Sequence, residues 1–435
     1  MPPVSRGVPA FRQAKDVLPN GLRLVTVELP HLHTAALVVY AKVGSRYESP
    51  ADNGLSHFLE HMLFRGTARH PSSYTLNFAI EELGGTLYAE TGRDYSLYQI
   101  SLDPELVPQG IAILADIFTS PAFTQLDLER QIILEEINED LDEKGRDVNL
   151  DDLARQLVFP GHPLGQKITG PATNVERFDV ADCRRHFARF YGAENVIFCV
   201  SGPVAREQVL EAAVPTMGKL PRGERARTEP PEALVGGPFF TYVEDQAAQT
   251  EVQILFRALP ESHPDFVALQ ALGRVLDDGM STRLHYTLCD QLGLAYYVSS
   301  VLEPYHDSAL FELEGAAAHG KLGDLVGGML GLLGKLRDEP VSGEELAKAK
   351  RRYRFDLASA FDDANAMAGW FGGTELFYPP PSFEAKVSRM EAVTAADIQR
   401  AAGEVFQPDR LVVAASGGLS DKQKRGLEKL VKAWR

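Results

Sequence analysis

Residues 178–202 read FDVADCRRHFARFYGAENVIFCVSG, and residues 393–417 read VTAADIQRAAGEVFQPDRLVVAASG. Each stretch opens with an N-cap candidate three residues ahead of an Asp, Asp179 before Asp182 and Thr394 before Asp397, the pattern of a capping box. Each continues with helical periodicity, turns, and ends as an apolar run closed by Ser-Gly. The two lie 215 residues apart in a chain of 435. A chain that repeats itself at this interval is expected to fold as two copies of one unit, each of ordinary domain size. Weaker echoes join the helical patterns after Asp103 and Gly320, and the charged patterns from Phe123 and Val341. Strand-like runs at 22–27, 35–43, 251–256 and 410–415 alternate with helical patterns. The expected fold class is therefore α+β, two homologous domains, each a mixed β-sheet packed with helices. Pro221, Pro230, Pro231, Gly236 and Gly237 sit among charges between the copies and read as a linker. The expected division is 1–220, a linker over 221–237, and 238–435.

Composition removes several functions. With 44% hydrophobic and 24% charged residues, the chain can build ordinary globular cores. The longest uninterrupted run of apolar residues and glycine, 325–334, is far short of the ~20 residues a membrane span needs. Forty-four Lys and Arg stand against 60 Asp and Glu, a formal charge of −16. So acidic a surface repels phosphate backbones, and no basic cluster offsets it, so nucleic acid is not an expected partner. Cys183, Cys199 and Cys289 are odd in number and lack C-x-x-C spacing, which fits a reducing compartment and excludes a cysteine-rich zinc site. Residues 1–16 are polar and contain prolines, so no secretory signal is expected and the cytoplasm is the expected location.

Residues 56–67, SHFLEHMLFRGT, carry the chemistry. His57, Glu60 and His61 stand at i, i+3 and i+4, on one face of a helix whose other residues are apolar. Two histidines one turn apart can bind one Zn²⁺, and an adjacent carboxylate can take a proton from a metal-activated water. H-x-x-E-H is itself a recognised catalytic pattern. A catalytic zinc wants a third protein ligand. On the acidic helix pattern LDLERQIILEEINEDLDE at 126–143, Glu129 and Glu136 share a face, whereas Glu135 points about 100° away. Glu136 is the expected ligand and Glu129 the expected outer carboxylate, although acidic helices of this kind mostly face solvent. His31, His33 and His162 lie in turn or loop patterns and are expected at the surface.

With these residues in view, the chain resembles the pitrilysin/insulinase/mitochondrial-processing-peptidase family, in its ~50 kDa bacterial and mitochondrial forms. The resemblance runs through Pro19-Asn20-Gly21-Leu22, Gly44-Ser45-Arg46, NGLSHFLEHMLFRGT at 53–67, and the stretch 129–137. It continues at 162–165 and at Asp278-Gly279-Met280-Ser281. The family's H-x-x-E-H is followed at a set interval by a ligand Glu. The 74 residues between His61 and Glu136 match that interval and favour Glu136 over Glu135 and Glu139. A further family Glu, seven residues earlier, falls on Glu129. The resemblance implies a zinc endopeptidase with Glu60 as acid/base, and two domains that form half of a clam-shell chamber around peptides. It also implies that a substrate strand adds to the segment GGTLYAET at 84–91, with Ala89 as a backbone contact. Tyr88 stands where relatives commonly have Asn.

Active relatives also carry an Arg and a Tyr, seven residues apart, that stabilise the oxyanion. Tyr296 fits the Tyr, but the Arg position holds Cys289, which gives no charged donor; Arg283 is a weak substitute. This gap implies a heterodimer in which this chain bears the zinc and a homologous subunit supplies the Arg/Tyr pair. A homodimer, or a non-catalytic structural subunit of a larger complex, is the alternative.

Overall fold

Strands β3 (Ala35–Ala41, AALVVYA) and β6 (Val196–Gly202, VIFCVSG) are buried at every residue, which is why they read as continuous apolar runs rather than alternating ones. The computed structural model of the protein describes residues 10–435. In the first sheet, β3 and β6 lie at the centre of the order β1-β2-β6-β3-β5-β4, with β1 Arg12–Val17, β2 Arg23–Glu28, β4 Thr86–Thr91 and β5 Ser96–Leu102. β6 runs parallel to β2 and antiparallel to β3, setting Val38 opposite Cys199. The second sheet has the order β7-β11-β8-β10-β9, with β7 Phe239–Glu244, β8 Thr250–Ala258, β9 Val298–Pro304, β10 Ala309–Ala317 and β11 Val412–Gly417. β11 runs parallel to β7 and antiparallel to β8. Strand for strand, the second order repeats the first without β1. Both expected capping boxes are formed, at the helices Val180–Phe190 and Ala395–Val405 that lead into β6 and β11. Each domain is thus a mixed sheet with helices.

Five helices of the first half cover the sheets and carry the chemistry-bearing residues: α1 (Leu55–Leu63), α2 (Ser73–Glu81), α3 (Val107–Thr119), α4 (Leu126–Glu139) and α5 (Leu150–Val158). One face of the first sheet packs Leu37, Val39, Phe198 and Val200 with Phe58 and Leu59 of α1 and Leu114 and Phe118 of α3. Its other face buries Ala36, Val38, Tyr40, Ile197 and Cys199. The helix Ala364–Ala368 and the wide turn Gly369–Gly373 pack on β3 and β6. A Cβ on Gly372 would lie 2.5 Å from the Cys199 Cβ, so the turn passes the strand too closely for any side chain. In the second sheet the corresponding layer is α5, whose Leu150, Ala154 and Val158 cluster with Leu255, Leu310, Val412 and Ala414.

Packing therefore groups the chain into two compact units that are not contiguous. One comprises residues up to 137 with 166–228 and 356–381; the other comprises 138–165, 229–355 and 382–435. The contiguous division expected from the sequence differs from this grouping by the segments 138–165 and 356–381. Each leaves its own half to cover an apolar sheet face in the other. Residues 221–238 form neither helix nor strand. Among the described residues, no helix is long and apolar enough to cross a membrane.

Candidate metal centre

α1 buries Leu55, Ser56, Phe58, Leu59, Met62 and Leu63, which leaves His57, Glu60 and His61 along the remaining side. Its first turn is held from outside the helix. The fully enclosed Glu48 carboxylate accepts from the backbone N–H of Gly54 (2.9 Å) and Ser56 (2.6 Å) and from the Asn53 amide (3.0 Å). These are donors that a helix start leaves unpaired, and a negative group there also suits the helix dipole. Gly54, the N-cap, has φ 98° and ψ −8°, and a Cβ on it would sit 2.4 Å from the Thr169 carbonyl oxygen. Gly54→Ala is expected to cost about 1–3 kcal/mol for the left-handed backbone alone, and more for the overlap. A lower urea midpoint would register this; an unchanged midpoint would count against the clamp at Gly54.

The His57 and His61 rings stand 4.8 Å apart between centroids. From α4, the Glu136 carboxylate reaches both: Oε1 lies 3.5 Å from His57 Nε2 and Oε2 lies 3.9 Å from His61 Nε2. One ligand atom from each of the three residues falls within 4.8 Å of the others. Glu129, one face-repeat earlier on α4 and nearly fully buried, accepts from His61 Nδ1 at 2.9 Å and also pairs with Arg65. That contact places the proton on Nδ1 and turns the Nε2 lone pair toward Glu136. Burial and the neighbouring His61 hold His57 down to about 3, so its imidazole is neutral at physiological pH and free to donate a lone pair. Burial likewise lowers His61, against the pull of Glu60 and Glu136. The donor set of two neutral imidazoles and one carboxylate is the kind that zinc takes in hydrolytic sites. Glu129→Gln is expected to weaken zinc retention by about 10–100-fold, measured by competition with a chromogenic chelator.

Glu60 lies beside this cluster, its pKa raised chiefly by burial. The Thr91 hydroxyl donates to its Oε2 at 2.5 Å. Thr91 is the last residue of β4, the edge strand of the first sheet, so the acid is tethered to the strand expected to receive a peptide. On β4 Ala89 packs against the core, while Tyr88 points outward and its hydroxyl donates to Glu90 (3.0 Å). Tyr296 belongs to the second unit and is 95% exposed. Cys289 lies on the helical turn Tyr286–Gln291, its thiol pushed up mainly by burial. Arg283 is held in a two-pronged pair with Glu345 at 2.7 and 2.9 Å, as befits an anchor rather than a free cation. Glu48, Thr91 and Arg65 were not singled out by sequence reasoning; each gains its place through a partner distant along the chain, and no spacing rule marks it.

Comparison with known proteins agrees with this arrangement. The family described as "Insulinase (Peptidase family M16)" matches residues 23–172, and "Peptidase M16 inactive domain" matches residues 177–353. An uncharacterised zinc protease of Rickettsia bellii is 31% identical over 401 residues, covering 89% of this chain and 94% of its own. A probable mitochondrial-processing peptidase subunit beta of Schizosaccharomyces pombe is 28% identical, covering 92% and 90%. The crystal structure of a protease from Helicobacter pylori superposes with a TM-score of 0.86 at 22% identity, covering 93% of this chain and 99% of that one. On the strength of two matched family regions spanning most of its length, this chain belongs to the insulinase family of peptidases, M16.

Proposed function

We propose that the chain is a zinc endopeptidase acting on unstructured peptides, with His57, His61 and Glu136 as ligands and Glu60 as the proton carrier. The observation that carries this reading is the convergence of both Nε2 atoms and the Glu136 carboxylate, with Glu129 fixing the His61 tautomer from behind. A bound zinc ion supplies Lewis acidity toward water and the scissile carbonyl. Glu60 takes the proton of the attacking water and returns it to the leaving amine, a role suited to a carboxylate whose burial lifts it toward neutrality. Thr91 keeps that carboxylate in one orientation. The free side of β4 takes the peptide as an added strand, with main-chain hydrogen bonds at Ala89 and the Tyr88 ring beside it.

The oxyanion donors are incomplete in this chain. Tyr296 fills one role, while Cys289 offers an uncharged thiol in place of a guanidinium. A homologous subunit supplies the Arg/Tyr pair, so the isolated chain cleaves slowly and speeds up when such a partner is added. Full-rate cleavage of a quenched peptide by the isolated chain would rule out the heterodimer. The peptidase reading is tested by metal analysis and chelation: about one zinc per chain is expected, with hydrolysis lost on chelation and restored by zinc. A structural subunit would show neither zinc nor hydrolysis.

A further inference from the structure

Across three neighbouring strands of the second sheet, Gln253 of β8 stands opposite Glu314 of β10, which stands opposite Ser299 of β9. Gln253 and Glu314 line a cavity of about 180 Å³, together with Leu150, Glu251, Tyr297 and Ala316 among others. Its polar groups are almost all acceptors. Glu314 Oε1 receives the hydroxyls of Ser299 (2.8 Å) and Tyr297 (3.1 Å). Gln253 is 9% exposed, and its side-chain oxygen is buried with no hydrogen-bond partner. Glu251 is exposed. Among the described residues, neither Glu251 nor Glu314 forms an ion pair. A buried acceptor without a donor is costly and rare, and it marks a place where a donor from outside the chain would be gained at little desolvation cost.

We propose that this cavity takes one lysine or arginine side chain of a peptide. The aliphatic stem lies along Leu150 and Ala316 and beside the Tyr297 ring, and the cationic head donates to Gln253 Oε1 and the carboxylates of Glu314 and Glu251. A divalent ion fits less well, because calcium wants about 6–8 oxygen ligands and one oxygen of Glu314 already serves two hydroxyls. That a peptide carries the side chain rests on the peptidase reading of the metal centre.

The test uses full-length Glu60→Gln protein and fluorescein-labelled neutral decapeptides that carry a single lysine, arginine or norleucine, titrated by fluorescence anisotropy. The two cationic peptides are expected to bind about tenfold tighter than the norleucine peptide. Adding Glu314→Gln, which keeps the side-chain shape, is expected to erase most of that preference, and adding Glu251→Gln to reduce it. Adding Glu207→Gln, which removes a charge from an exposed acid of the first unit, should leave it intact and so separates the cavity from general attraction to an acidic protein. Equal or undetectable binding of the three peptides overturns the proposal, as does a preference that survives Glu314→Gln in a protein of unchanged melting temperature. A wild-type chain that fails to hydrolyse any peptide while the preference persists sinks the peptidase reading and keeps the cavity's role. Hydrolysis without the preference does the reverse.

Discussion

Glu60→Gln is expected to lower kcat for peptide hydrolysis by about 10²- to 10⁴-fold while KM and zinc content stay near those of the unsubstituted chain. The amide keeps the shape of the carboxylate, and its oxygen can still accept from the Thr91 hydroxyl, so the neighbourhood need not rearrange. What disappears is the capacity to hold a proton between the attack on the carbonyl and the departure of the amine. Glu60 belongs to α1 but is not among the three residues whose donor atoms converge, so metal retention and catalysis should separate cleanly in this variant. Hydrolysis that persists at the original rate would remove Glu60 from the mechanism.

Glu136→Gln is expected to abolish stoichiometric zinc retention, an effect larger than the about 10–100-fold weakening that loss of an outer partner such as Glu129 causes. Glu136 contributes the only anionic oxygen that lies between the two Nε2 atoms, at 3.5 and 3.9 Å. Its neighbour Glu135 provides the control. One position along α4 turns a side chain about 100° around the axis, so Glu135→Gln should retain zinc and activity. If both variants bind metal equally well, the third ligand has been misassigned. If Glu135→Gln alone loses it, α4 presents a different face.

The site was legible in the sequence because its parts obey local periodicity. The i, i+3, i+4 spacing of His57, Glu60 and His61 and the seven-residue spacing of Glu129 and Glu136 are each read from a single helix. The duplication was legible for the same reason: Asp179 with Asp182, and Thr394 with Asp397, close their capping boxes within one turn. The exchanged segments were not legible. The apolar stripe Leu150, Ala154, Val158 announces a helix with a face to bury, yet any apolar sheet face would satisfy it. Only the three-dimensional match with Leu255 and Val412 decides which. Glu48 was invisible for a related reason. A lone acid before a glycine-capped helix reads as a surface residue until the backbone of 53–56 folds around it.

The late position of 356–381 has a consequence for how the protein is made. When β6 leaves the ribosome, every strand of the first sheet exists, but the covering for Val38, Tyr40 and Cys199 has yet to be translated. At ordinary synthesis rates that interval lasts roughly 10–30 s. The nascent first unit must therefore wait, half-finished and with greasy strands open to water, so its completion is tied to the synthesis of nearly the whole polypeptide.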